Sequence, residues 1–240
     1  MEIILVPGAW AGGWIWGDVA QCLRGRGHKV HQLTLTGFRG ESNPEKIGLN
    51  THIKDVEYFI KKNNIKKPVL VGHSYSGIVV GQVASRKNAN IHHTIFVEAF
   101  LPVTGRSLLD VSGLPVNEET RSITINKGEW PAPTLKELKS QTHLTQKQIH
   151  LLVSKQLPQP GNTVTDLAEL HRPLADISAT FIAHDSWLSG SRIHKLIKQL
   201  QMSSNWQFKR INGGHWPMLT MPKELSDHIH SSVIDTLKTI

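Results

Sequence analysis

A single cysteine, Cys22, in 240 residues excludes an intrachain disulfide and any multi-cysteine zinc site. It falls among Val19, Ala20 and Leu23 in an expected helix, which reads as a core thiol. Long apolar runs are missing too. The purely apolar stretches are short pieces such as residues 3–6, too short to span a bilayer, so no membrane partner is expected. The opening Met1-Glu2-Ile3-Ile4-Leu5-Val6-Pro7-Gly8 lacks a basic region, a long apolar run and a small-residue cleavage site, which points to a cytoplasmic protein. With 19 Gly and 12 Pro there is no collagen-like or linker-like excess, and the length suits one globular core with room for an insertion. Acidic residues are the scarcer charge: 19 Asp plus Glu against 27 Lys plus Arg leave +8, which raises a polyanion as a partner. The basic residues are scattered in small groups such as Lys61, Lys62, Lys66 and Lys67, without a helix-turn-helix, zinc-finger or RNP pattern, so no nucleic-acid partner is expected.

Short runs rich in Val, Ile and Leu, at 2–6, 29–35, 69–72, 94–98, 179–183 and 206–211, alternate with amphipathic stretches at 14–25, 48–63, 76–87, 191–200 and 222–238. That alternation is the pattern of an α/β protein, a mostly parallel six-stranded sheet flanked by helices. Residues 101–173 interrupt it with several prolines, polar turns and weakly amphipathic helices at 135–140 and 145–154. This is too long for an ordinary connection. The expected organisation is a core of residues 1–101 and 174–240 with a helical cap inserted at 102–173.

The sharpest motif is Val69-Leu70-Val71-Gly72-His73-Ser74-Tyr75-Ser76-Gly77-Ile78-Val79-Val80, a buried strand turning into an apolar helix. A serine raised at the apex of such a turn, a nucleophile elbow, needs small residues two places before and after it. Gly72 and Ser76 meet that demand for Ser74, whereas a turn centred on Ser76 would put Ile78 at its flank. A hydroxyl is a poor nucleophile near neutral pH and needs an imidazole to take its proton. Among the 14 histidines the candidate is His215, which follows the last strand through Gly213-Gly214 and precedes Pro217 and the final helix. His73 is expected to point away from the serine. A buried carboxylate would orient the imidazole, and two strand ends offer one: Glu98 in Ile95-Phe96-Val97-Glu98-Ala99-Phe100, and Asp185 in Phe181-Ile182-Ala183-His184-Asp185-Ser186-Trp187. A charge among apolar neighbours at a strand's carboxyl end is costly unless paired, and ligands bind at such ends, so Glu98 is favoured and Asp185 stays the alternative.

The first loop, Pro7-Gly8-Ala9-Trp10-Ala11-Gly12-Gly13, joins the first strand to the first helix. Its Ala9 N–H, with the Tyr75 N–H after the serine, would hold an oxyanion. As a dinucleotide cradle the loop has the wrong spacing, and no acid ends the second strand near Leu33-Thr34-Leu35, so no cofactor is expected. No histidine pair has the spacing and carboxylate company of a metal site.

Together these motifs resemble an α/β hydrolase, in the cofactor-free branch that holds plant methylesterases, hydroxynitrile lyases and small bacterial esterases. Residues 5–14, 27–30, 72–77, 96–102 and 214–218 carry the resemblance. It implies that the elbow strand neighbours the first strand, so that Ser74 and Ala9 meet at the topological switch point. Several positions depart from the family pattern. Ser76 replaces a glycine of the elbow, and Pro7 stands where the family usually has a histidine. Trp187 occupies the place where the family's methylesterases carry their acid, which favours Glu98. Haloalkane dehalogenases use a glutamate in a segment similar to 96–102, but with an aspartate nucleophile, which Ser74 excludes. Hydroxynitrile lyases use a first-loop threonine and a lysine after the histidine, where this chain has Gly8 and Trp216.

The expectation is a serine hydrolase of carboxylesterase type, monomer or homodimer, cleaving a small, largely apolar ester through a Ser74–His215–acid triad and an acyl-enzyme. Trp10, Trp187 and Trp216 are expected to line its pocket, with Trp130 as a lid contact. The alternatives are a catalytically idle small-molecule-binding protein on the same scaffold and a cofactor-free lyase or haloperoxidase-like enzyme.

Overall fold

The computed structural model describes residues 1–240 apart from 42, 142, 191–193 and 238–240. Strand β1 (Glu2–Val6) shows how the chain builds its layers. Successive side chains point to opposite faces of a strand, and here both faces are apolar: Ile3 and Leu5 pack in one cluster, Ile4 and Val6 in the other. Each such fully buried side chain contributes about 1.5–3 kcal/mol.

Helices and strands then alternate as α1 (Gly17–Gly25), β2 (Lys29–Gln32), α2 (Leu49–Lys62), β3 (Val69–His73), α3 (Ser76–Ser85) and β4 (His93–Val97). The interrupting segment holds α4 (Leu108–Ser112), α5 (Val116–Ile125), β5 (Glu129–Trp130), α6 (Leu135–Lys139), α7 (Gln146–Lys155), β6 (Gln159–Pro160) and α8 (Asn162–Thr165). The chain returns to the sheet through β7 (Ala179–Ala183), α9 (Asp185–Gly190), α10 (His194–Leu200), β8 (Trp206–Arg210), α11 (Pro217–Thr220) and α12 (Pro222–Leu237).

The six-stranded sheet has the order β2-β1-β3-β4-β7-β8, and every neighbouring pair is parallel. Its α/β class and strand count are those expected. Because β1 lies between β2 and β3, the connections to those two strands leave it in opposite directions, and a crevice opens at their carboxyl ends. Helices α2 and α3 cover one face, through residues such as Ile53, Val56, Ile78 and Val79, while α1 and α12 cover the other. In the inserted segment, α4, α6 and α7 start at Ser107, Thr134 and Thr145, each accepting the backbone N–H three residues on. Each such cap is worth about 1 kcal/mol.

Several expectations change in detail. The run at 29–35 leaves the sheet after Gln32, because Gln32 Nε2 donates to the Gly13 carbonyl and Thr34 Oγ1 accepts the Gly13 N–H, both at 2.9 Å. The stretch at 14–25 begins with a 3-10 turn, Gly13–Trp16, before α1. Cys22 is only half-buried, at the edge of α1. Residues 191–193 and 238 of the two expected C-terminal helices lie outside the described residues. Among the described residues no helix is long and apolar enough to cross a membrane.

Two buried histidines tie acid stability to this fold. His93 opens β4 with its ring between the Ser178 and Thr180 hydroxyls at 2.7 and 2.8 Å, and His52 sits inside α2. Burial pulls both pKa values from 6.5 to about 4. A lowered histidine contributes stability that is full above pH 6.5 and is lost as pH falls through 4. Urea denaturation should therefore show a loss on the order of 3 kcal/mol per histidine across that window, and His93→Gln should flatten the slope.

Candidate active site

The elbow forms as the sequence pattern requires. Ser74 follows β3 with φ 50, a left-handed conformation for a non-glycine residue, and its carbonyl accepts N–H groups from Gly77 and Phe100, both at 3.1 Å. The close approach explains the small neighbours: a Cβ at Gly72 would stand 2.7 Å from the Ser76 carbonyl oxygen, and one at Gly77 would stand 2.3 Å from that of Phe100. Ser76, in place of a glycine, donates its hydroxyl to the Pro7 carbonyl. Two departures from the family pattern thus meet, and Ser76 anchors the first loop.

Three left-handed non-glycine residues stand at adjacent strand ends: Ser74 after β3, Glu98 at φ 46 after β4, and Trp10 at φ 63 beyond β1. Such conformations cost about 1–3 kcal/mol each, and they persist only where surrounding structure fixes them. Over this floor, His215 Nε2 lies 3.0 Å from Ser74 Oγ. The His215 Nδ1 lies 4.0 Å from Glu98 Oε2, and Glu98 is fully buried. His73 points away from Ser74, donating its Nε2–H to the His215 carbonyl at 2.7 Å.

The carboxylate has a second imidazole that the sequence reading passed over. His184, just after β7, donates its backbone N–H to Glu98 Oε1 at 2.6 Å and its Nδ1–H to the carboxylate at 2.8 Å. Burial pushes Glu98 up to about 7, against the pull of these two donors. The same burial, with the neighbouring His184, brings His215 down to about 4. The signal for His184 was its place directly behind a fully buried strand, beside the acid candidate.

Asp185 is directed elsewhere: its side chain is 66% exposed, and Oδ1 accepts Arg210 Nε at 3.0 Å. Trp187 stacks on the His215 ring, 5.3 Å between centroids, and packs against Phe100. Trp10 lies 4.4 Å from Trp130 and donates its indole N–H to the Trp130 carbonyl. Trp216 stands edge-on to the His215 ring, 5.5 Å between centroids. It is buried in the cluster under α1 and α12, against His73, with its indole N–H on Gln141 Oε1 at 2.8 Å. Among the described residues no group of three or more His, Cys, Asp or Glu is placed to hold a metal ion.

The family model for the alpha/beta hydrolase family matches residues 3–228. The chain belongs to the α/β hydrolase family. It is esterase-like within it: a carbendazim hydrolyzing esterase of Nocardioides sp. strain SG-4G is 30% identical over 95% of this chain and 98% of that protein. Methyl jasmonate esterase 1 of Vitis vinifera is 32% identical over 42% of this chain and 40% of its own length. In structure, this α/β hydrolase matches an extracellular alpha/beta-hydrolase from a Paenibacillus species with a TM-score of 0.82 and 18% identity, covering 97% of this chain and 98% of the other.

The elbow's tightness is open to a direct check. Gly77→Ala should lower stability by about 3 kcal/mol, because the new methyl group meets a backbone carbonyl that cannot rotate away. Gly17→Ala, where a Cβ meets nothing within 4 Å, should leave the urea midpoint unchanged or raise it.

Proposed function

We propose that this α/β hydrolase is a serine esterase acting on small, largely apolar esters without a cofactor. The observation that carries the reading is the 3.0 Å contact between Ser74 Oγ and His215 Nε2 at a left-handed elbow. In the proposed reaction Ser74 Oγ attacks the ester carbonyl while His215 Nε2 takes its proton. The Ala9 and Tyr75 amides face the developing oxyanion. His215 then returns the proton to the leaving alcohol. Water, activated by the same ring, releases the acid and restores Ser74. Glu98 is the acid of this proposal, since it faces His215 Nδ1 from a buried strand end while Asp185 pairs outward with Arg210. Two relatives named as esterases support the bond type, and Trp10, Trp130, Trp187 and Phe100 support an apolar substrate. Residues 102–173 serve as the cap over this site.

Turnover of p-nitrophenyl acetate to octanoate tests the assignment. Ser74→Ala should abolish it, and Glu98→Gln should lower kcat by about 10³-fold or more, with Asp185→Asn near wild type. A collapse in Asp185→Asn instead would move the acid to that residue.

The pH profile tests the role of His184. A protonated Glu98 cannot balance an imidazolium, so kcat/KM should fall as pH drops below about 7, the titration belonging to Glu98 and His215 together. His184→Phe removes a donor that favours the ionised carboxylate, so the acid limb should move to higher pH by about one unit. An unmoved limb would remove His184 from the mechanism.

A further inference from the structure

Two polar side chains buried beside the elbow take no part in those steps: the Tyr75 hydroxyl and the His52 imidazole. A carbonyl only accepts, so His52 Nε2–H donates to the Thr36 carbonyl at 2.8 Å. The buried ring is neutral near pH 7, which leaves Nδ1 bare to accept the Tyr75 O–H at 2.8 Å. Thr163 of α8, also beside the phenol, belongs to a separate set of bonds. Its hydroxyl donates to the Pro160 carbonyl and accepts Gln159 Nε2–H at 2.6 Å. The remaining polar atom of that amide, Gln159 Oε1, accepts the Trp10 N–H at 3.2 Å. His52, Tyr75, Gln159 and Thr163 are all buried. A buried polar group costs stability unless it is paired, and these are: Tyr75 with His52, and Gln159 with Thr163 and Trp10.

The Gln159 set holds the peptide between Ala9 and Trp10, next to the Ala9 donor amide. Trp10 stands at φ 63, and its carbonyl is held as well, by the Leu157 N–H at 3.0 Å. An oxyanion hole works only while its donors keep their aim before the charge appears. We propose that Gln159 is a positioning residue for the oxyanion hole, acting with Thr163 to fix the peptide that follows the Ala9 amide. This assignment rests on the serine-esterase reading above.

The test measures kcat and KM on p-nitrophenyl butyrate and Ki for an alkyl trifluoromethyl ketone, whose serine adduct carries an oxyanion. Wild type, Gln159→Leu, Thr163→Val and the double variant are compared, with urea midpoints alongside. Gln159→Leu should lose about 10–100-fold in kcat and weaken the ketone by a similar factor, with KM within about two-fold. Thr163→Val should lose about 3–10-fold in the same pattern, and the double variant should fall short of the product of the two because both act on one chain of bonds. A Gln159→Leu protein with a lowered urea midpoint but unchanged kcat and Ki would reduce Gln159 to packing and overturn the proposal. Should Gln159→Leu not fold, Thr163→Val decides by the same two readouts. A wild type that neither turns over esters nor binds the ketone would instead sink the esterase reading, and this assignment with it; an active wild type with unaffected variants sinks only the network.

Discussion

Ser74 keeps its left-handed backbone because β3 and α3, buried on both sides of it, cannot relax apart. The strain is small beside the apolar burial that those two elements supply, since every residue of each is buried. Closeness at the turn then dictates much of what surrounds it. No side chain fits at Gly72 or Gly77, the Ser74 carbonyl gathers amides from α3 and from the chain beyond β4, and Ser76 reaches back to the first loop. Strands β1, β3 and β4 are thereby locked end to end where the candidate site lies.

Burial also sets the order in which the neighbouring groups give up protons. In the proposed mechanism the value of any one group matters less than the crossing of two: Glu98 is raised to about 7 while His215 is lowered to about 4. An imidazolium at His215 therefore needs an ionised Glu98 beside it, and the donors that favour that ionised form both come from His184. A lone carboxylate at this depth would hold its proton near neutral pH and leave the ring without a counter-charge. The 4.0 Å gap to His215 and the 2.8 Å contact to His184 make the second imidazole part of the acid's environment.

The strands, the elbow, the histidine loop and the interrupting segment were legible in the sequence because each is written locally: continuous apolar runs, small residues flanking Ser74, two glycines before His215, and prolines after Glu98. Partners chosen across the fold left no such trace. Nothing adjacent to Trp216 shows that its indole meets Gln141, 75 positions away, or that Gln159 answers Trp10 across 149. His184 was hidden by its neighbour, since Asp185 drew attention as an acid while the histidine before it faced inward to Glu98. The short helix α9 and the two-residue ribbon β5–β6 are too brief to show a period.

The inserted segment is bound to the core by more than apolar contact, and this limits how the site is entered. Leu138, Ile149 and Leu152 share a cluster with Trp216 and Met218, Gln148 Nε2 donates to the Leu219 carbonyl, and Trp10 is held through its backbone N–H, its carbonyl and its indole. A segment that only shielded a pocket would need contacts at the rim. One that grips the residue after Ala9 cannot lift without releasing the loop whose amide would face the oxyanion. Accuracy of that loop and wide opening of the inserted segment therefore oppose each other. The rings of His184 and His215 keep 26% and 27% of their side-chain surface exposed while Ser74 is nearly covered. In the serine-esterase proposal a segment that stays docked suits a small ester better than a large one, and Trp187, stacked on His215, lies beside the proposed base.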